Sequence, residues 1–201
     1  MLQAASHADP LRFMDQSGAS ASVRGVGLMA LRSHLLAAVA FGPYETSETA
    51  YAVNLWSLVP GNSLTVVDRG FLSARILIPL ARDGANRHWL TRTKKNQQWR
   101  VLQHLGLRDA LVEMNVSSDA RKKDPSLPKV WVARAVTYQR KGFRAQTLLT
   151  SLLDPKAFPA DEIATLYHER WELEISHSCC SPCDRPIYVS QERRDDRSVR
   201  C

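Results

Sequence analysis

Three polar side chains, Tyr167, Arg170 and Glu174, are spaced three and four residues apart. At about 100° per residue, a helix would carry them within roughly 60° of one another on one face. A carboxylate can bind a divalent metal, a guanidinium can hold a phosphate through two hydrogen bonds, and a phenol can stack or donate a hydrogen bond. This combination suits a phosphodiester substrate. The alternative is a solvated, salt-bridged helix face, which the same spacing also produces.

The segment that contains these residues predicts a helix from Asp161 to Ser176. Pro159 comes just before it, Asp161 and Glu162 place negative charge on its first turn, and its interior lacks glycine and proline.

A further carboxylate, Asp68, ends a short apolar run that begins at Ser63. The run predicts a buried strand, and the carboxyl ends of such strands are where open α/β sheets bind ligands. The alternative is a turn or helix-capping role, which is common for an aspartate near glycine. The residues by themselves leave both interpretations open.

Alternating strands and helices predict an α/β sheet in the first half of the chain. A β-rich section at about 94–155 follows and leads to the Asp161 helix. Residues 1–22 and 176–201 lack strand or helix periodicity, so we expect irregular ends around a domain at 23–175. The predicted elements are a hairpin of Val23–Arg32 and Leu35–Phe41, a helix over Thr46–Leu58, a strand over Ser63–Asp68, a helix over Leu72–Arg82, a strand over Arg87–Arg92, and strands over Trp99–Leu105, Ala110–Val116, Val130–Tyr138 and Phe143–Leu153.

The run Tyr167-x2-Arg170-x3-Glu174 resembles the Y-(2)-R-(3)-E-(6)-K signature of DDE transposases from the insertion-sequence-four family. The sequence VVDRGF around Asp68 is similar to the D-(R/K)-G-(F/Y) segment of that family, and the resemblance covers roughly Ser17 to Ile175. It implies a partial ribonuclease H-like core with a β-rich insertion before the catalytic helix. It also implies a role in DNA transposition, with Mg²⁺-dependent cleavage and strand transfer at transposon ends.

By the same resemblance, Asp68 and Glu174 are the second and third carboxylates that bind Mg²⁺ and carry catalysis. Tyr167 and Arg170 are implied to contact DNA near the transposon end. The implied partners are transposon-end DNA and, for this chain, a full-length transposase.

The chain departs from the family pattern in three respects. The first catalytic carboxylate is absent, because Asp9 and Asp15 are the only carboxylates before Val23 and neither ends an apolar strand. The central first strand that would carry it is expected to be missing, which would leave two strand edges unpaired and the protein marginally stable. Ser181 stands where the family has lysine. We therefore expect a transposase fragment that is inactive by itself.

Two other functions follow from the same residues. One is a non-catalytic DNA-binding or inhibitory partner of a full-length transposase. The other is a metal-dependent nuclease of the same fold that uses an unrecognised acid.

All four cysteines lie in the last 23 residues, where the composition shifts to Cys, Ser and Arg. The shift resembles translation in another reading frame after about Ile175, so we expect a truncated, pseudogene-like remnant. The spacing does not match the paired Cys-x2-Cys of zinc sites, although a metal role for the tail is the alternative. The cysteines are Cys179, Cys180, Cys183 and Cys201.

The formal net charge of +7 is compatible with a nucleic-acid partner and does not by itself select one. Basic clusters occur at Lys94-Lys95, at Arg121-Lys122-Lys123 and at Arg140-Lys141, all on predicted loops. Each is either a solvated surface or part of a path for a DNA backbone. No apolar run reaches the roughly 18 residues of a membrane span, and we expect a cytoplasmic protein.

Overall fold

A computed structural model of the chain describes residues 2–4, 11–14, 20–33, 35–178 and 186–191, with side chains described over 23–33 and 35–169. This part of the chain is a mixed α/β structure with a large sheet and four α-helices. The helices are α1 Glu48–Leu55, α2 Ala74–Arg82, α3 Ser118–Lys123 and α4 Ala160–Ser178. The strands are β1 Leu2–Ala4, β2 Leu11–Met14, β3 Ser20–Ala30, β4 Leu36–Pro43, β5 Ser63–Val67, β6 Arg87–Arg92, β7 Arg100–Gly106, β8 Asp109–Asn115, β9 Val130–Tyr138, β10 Gln146–Thr150 and β11 Pro186–Gln191.

The sheet has the strand order β2-β3-β1-β11-β5-β6-β10-β9-β8-β7, with β4 paired to β3. β5 and β6 are parallel, with Val67 opposite Thr91. From β6 to β7 every pairing is antiparallel. The β-rich section therefore extends the same sheet beyond β6.

β5 separates two apolar clusters because its successive side chains point to opposite faces of the sheet. Val67 belongs to the cluster that α1 and α2 cover. Val66 belongs to the cluster that contains Ile163 and Tyr167 of α4. Helices thus cover both faces of the sheet at β5, which explains why that strand is a short, almost continuously apolar run.

Local signals explain the ends of the helices in the first half of the chain. Ser47 caps α1, and its hydroxyl accepts a hydrogen bond from the Ala50 amide at 3.3 Å. Pro79 lies inside α2, as the sequence predicts, and its carbonyl accepts from the Asp83 amide where the helix ends. The predicted hairpin, the two helices and the strands before and after α2 are confirmed.

The prediction that the position between the hairpin and β5 lacks a strand is wrong for the described residues. β1 pairs antiparallel with β3 and meets β5 in parallel, with Ala4 opposite Val67. β11 also pairs with both β3 and β5. Backbone groups at the inner edges of β3 and β5 gain partners in this way, so the unpaired edges that predicted marginal stability are filled.

The terminal segments also differ from the sequence interpretation. Residues 1–22 were expected to be irregular and contain β1, β2 and the start of β3, while 176–201 contain the end of α4 and β11. Strands of three to six residues carry too little periodicity to be recognised without their partners. No helix within the described ranges is long and apolar enough to cross a membrane.

Candidate functional site

Asp68 directly follows β5 and begins a single turn of 3₁₀-helix, Arg69–Phe71. Its carboxylate accepts a hydrogen bond from the Gly70 amide at 3.4 Å. The turn-capping interpretation of Asp68 therefore describes its local structure. The strand-end interpretation holds as well, because the residue stands at the carboxyl end of a parallel strand and is only partly buried.

The side of the sheet on which Asp68 lies follows from strand alternation. Asp68 has extended backbone angles, φ −68° and ψ 156°, so the alternation of β5 continues through it. It is two residues beyond Val66 and falls on the same face, which is the face that α4 covers. Phe71, which is fully buried on the other cluster, anchors the end of the turn.

Helix α4 crosses this face of the sheet. We call the side of the sheet where β5 and β6 end the Asp68 edge. β10 is antiparallel to β6 and runs away from this edge, so the helix begins after the far end of β10. Ile163 and Tyr167 belong to the apolar cluster of Val66, and Tyr167 is only 8% exposed. The side chain of Tyr167 thus packs against the sheet. Contact with DNA stays a prediction for this residue.

Arg170 and Glu174 lie on the α4 backbone beyond Tyr167, and their side chains are outside the described ones. Helical spacing puts the two positions on the Tyr167 face. Glu174 is seven residues further on, about 10 Å along the axis. Both positions therefore lie further along α4 than Ile163 and Tyr167, which pack against the sheet.

A buried ion pair fixes the segment that leads into α4. Arg134 of β9 is fully buried, and its Nε and Nη2 donate to the two carboxylate oxygens of Asp109 at 2.8 and 2.6 Å. Its Nη1 donates to the Phe158 carbonyl at 2.6 Å, with the Leu152 and Asp154 carbonyls at 3.5 and 3.4 Å. This guanidinium joins the β-rich section to the start of the helix that carries Arg170 and Glu174.

His88 lies on β6 beside the same segment. Its Nδ1 is 3.3 Å from the Ser151 hydroxyl, its Nε2 is 2.9 Å from the Asn86 side-chain oxygen, and its ring lies 6.1 Å from that of Phe158. Burial lowers the pKa of His88 below its ordinary value, and the interaction with Ser151 opposes this to a smaller extent. The neutral imidazole is therefore favoured in the folded state.

This shift predicts how stability depends on pH. Because the folded-state pKa is lowered, His88 contributes stability above its unfolded pKa of about 6.5, and this is lost as the pH falls through the folded pKa. The urea midpoint of the wild type should therefore fall more between pH 7.5 and pH 5 than that of His88→Gln. Parallel pH profiles for the two proteins would contradict the assignment.

The structure places the predicted basic clusters beyond opposite ends of the strands, two at the Asp68 edge and one at the far edge. Lys94-Lys95 and Arg140-Lys141 follow β6 and β9 at the Asp68 edge, because Thr91 is level with Val67 and β9 ends toward the same side. Arg121-Lys122-Lys123 belongs to α3, between the far ends of β8 and β9. The expectation that this third cluster lies on a loop is wrong, because Ser117 caps a short helix by accepting from the Ala120 amide.

Sequence reasoning missed two features of this region. Arg92 follows Thr91, which pairs with Val67, so Arg92 is level with Asp68 on the neighbouring strand. Its position at the end of the predicted strand Arg87–Arg92 was the available signal. The Asp109–Arg134 pair joins residues 25 positions apart, and no local pattern reveals such a contact.

Among the residues with described side chains, no group of three His, Cys, Asp or Glu is placed to hold a metal ion. Asp9 and Asp15, the acids considered for the first carboxylate, lie outside the described residues, as do Ser181 and the cysteines. The described side chains thus offer Asp68 as a strand-end carboxylate and do not by themselves form a metal site.

The described residues thus form a mixed α/β sheet with a carboxylate at the end of a parallel strand and a long helix packed on the same face. The chain belongs to the transposase DDE domain family, whose model matches residues 13–184. This confirms the resemblance seen at Asp68 and in the Tyr167–Glu174 run. The family generally uses a divalent metal.

Two relatives from Escherichia coli strain K12 are similar to this chain. The transposase InsG for insertion sequence element IS4 is 39% identical over 155 residues, which cover 77% of this chain and 35% of the relative. The putative transposase InsZ is 42% identical over 74 residues, which cover 37% of this chain and 25% of the relative. The chain thus spans about a third or less of the length of these curated relatives.

Proposed function

We propose that this chain is a segment of a transposase that binds DNA at the Asp68 edge of its sheet and does not cleave DNA by itself. The family match supports the role in DNA transposition, since the matched region includes Asp68, Arg170 and Glu174. The strand order β4-β3-β1-β5-β6, with β11 also inserted between β3 and β5, supports a ribonuclease H-like core.

The observation that carries the proposal is the register between β1 and β5. Ala4 lies opposite Val67, the residue before Asp68. The residues that follow Ala4 in the sequence are Ala5 and Ser6, so no carboxylate follows this strand directly. Two-metal sites need carboxylates on several elements to hold the ions that stabilise the attacking and leaving oxygens. Asp68 and Glu174 are the two that we assign to Mg²⁺, and two alone do not make a productive site.

The test uses the purified chain and labelled transposon-end duplex DNA, with Mg²⁺ or Mn²⁺. We expect salt-sensitive binding that weakens in Arg170→Ala, and no nicked product above a no-protein control. Robust nicking that Asp68→Ala abolishes would contradict the proposal and favour a metal-dependent nuclease. Absence of binding at 50 mM salt would contradict the DNA-binding half.

A second candidate function is that of a non-catalytic or inhibitory partner of a full-length transposase. Strand β4 favours this function. Within the described residues it pairs with β3 along one side, and its side chains Leu36, Val39 and Phe41 are exposed. Exposed apolar edge strands readily pair with another chain. Co-purification of the tagged chain with an intact relative, reduced by Val39→Lys, would support this function. Recovery of the chain alone would contradict it.

A further inference from the structure

Four loops meet at the Asp68 edge of the sheet. They are the turn after β5, the β6–β7 connection, the β7–β8 turn and the β9–β10 turn. The strand register places them together: Thr91 pairs with Leu149, Leu149 with Ala135, and Ala135 with Ala110, while Val67 pairs with Thr91. The connections of the β-rich section that hold α3 and Lys129 lie at the opposite edge.

Apart from Asp68 itself, these four loops carry cations and no acids. The residues at 69–73, 93–99, 107–108 and 139–145 include seven lysines and arginines and no aspartate or glutamate. Lys94 donates to the Leu72 carbonyl at 3.1 Å, which ties the β6–β7 connection to the Asp68 turn. The other six are exposed, and we define them as the basic rim: Arg69, Lys95, Arg108, Arg140, Lys141 and Arg144.

The excess positive charge of the chain resides in the β-rich section together with Lys156, which follows it. Residues 94–156 contain thirteen lysines and arginines against five acids, a net charge of +8, while the whole chain is +7. The remaining residues together therefore carry −1. One of the five acids, Asp109, is buried and paired with Arg134. Its negative charge therefore does little to repel an anion at the surface.

We infer that the basic rim is a binding surface for the phosphate backbone of duplex DNA, with the β9–β10 turn as its principal contact. The inference rests on the proposed function and assigns the residues that provide its affinity. A row of exposed cations in which Asp68 is the one acid matches a polyanion, and such contacts set affinity and orientation without reading sequence. Arg140, Lys141 and Arg144 are concentrated in one seven-residue turn, 139–145.

The dimensions of the edge fit a short length of duplex. From β5 to β8 there are four strand spacings, which amount to roughly 19 Å at about 4.8 Å each. At 3.4 Å per base pair this corresponds to roughly five or six base pairs. DNA lying along the rim would pass over Asp68 at one end and over the Arg108 turn at the other.

The experiment measures binding of a 20-base-pair fluorescent duplex of arbitrary sequence by anisotropy, between 50 and 300 mM salt. The rim variant is Arg140→Gln/Lys141→Gln/Arg144→Gln. The control variant is Lys122→Gln/Lys123→Gln/Lys129→Gln, which removes the same charge from the opposite edge. All six side chains are exposed, so unfolding midpoints should match the wild type.

The rim variant should lower the slope of log K against log salt by about 2–3 and weaken binding roughly 100-fold at 0.1 M salt, whereas the control should lose under about fivefold. Equal losses in both variants would overturn the inference and leave DNA binding intact. No binding by the wild type would overturn the proposed function and this inference together.

Discussion

Asp109→Ala should lower the free energy of unfolding by about 3–5 kcal/mol, measured by urea denaturation. The substitution leaves the Arg134 guanidinium fully buried with its carbonyl partners and without its counter-charge. An isolated charge in such a site costs far more than the pair contributes. Because Arg134 also holds the Phe158 carbonyl, the start of α4 should loosen at the same time.

Glu113→Ala provides a matched control on the same strand. Glu113 pairs with Arg100 at 2.8 Å, but the Arg100 side chain is 72% exposed. Exposed pairs contribute about 0–1 kcal/mol, so this variant should stay close to the wild type. The double variant Asp109→Ala/Arg134→Met should regain part of the loss, since it removes the buried charge. A loss below about 1 kcal/mol in Asp109→Ala would contradict the structural role of the pair.

Phe71→Ala should cost about 3–5 kcal/mol, because it deletes a fully buried ring and leaves a cavity between β5 and the α1–α2 layer. Phe71 ends the turn that Asp68 caps, so its loss should also change the environment of that carboxylate. Urea denaturation gives the stability. The change in DNA affinity of the same variant, measured under conditions where it is folded, reports the effect on the Asp68 edge.

Phe143→Ala is the corresponding control. Phe143 belongs to the β9–β10 turn, and its side chain is 68% exposed. Its removal should alter the free energy of unfolding by no more than about 0.5 kcal/mol. If both phenylalanine variants were equally stable, the placement of Phe71 in the core would be wrong.

Local patterns in the sequence determined most of the elements around the candidate site. Two apolar runs separated by Ser33-His34 predicted the β3–β4 hairpin, and an apolar run ending at Asp68 predicted β5. Helical spacing with an acidic first turn predicted α4. Family membership followed from short runs as well, since the segments around Asp68 and from Tyr167 to Glu174 carry it. These features are local because their signals are backbone propensity, capping and side-chain period.

Tertiary structure decided the features that join distant residues. The insertion of β1 and β11 between β3 and β5 depends on strand pairing. A run of three or six residues is too short to reveal its pairing partners from the sequence. The Asp109–Arg134 pair became recognisable only once β8 and β9 were side by side. The sequence did not show which way Tyr167 faces, and the packing of α4 places its side chain against the sheet.

The basic clusters show most clearly the difference between what the sequence determines and what the tertiary structure decides. Their composition is plain in the sequence, yet Arg140-Lys141 and Arg121-Lys122-Lys123 are indistinguishable there as short cationic runs. The antiparallel register sends the first to the Asp68 edge and the second to the far edge. By itself the sequence determined which residues carry charge and which chemistry they offer. Only the folded sheet decided which of them lie on the same side, because its register sets distances between residues that are far apart in the chain.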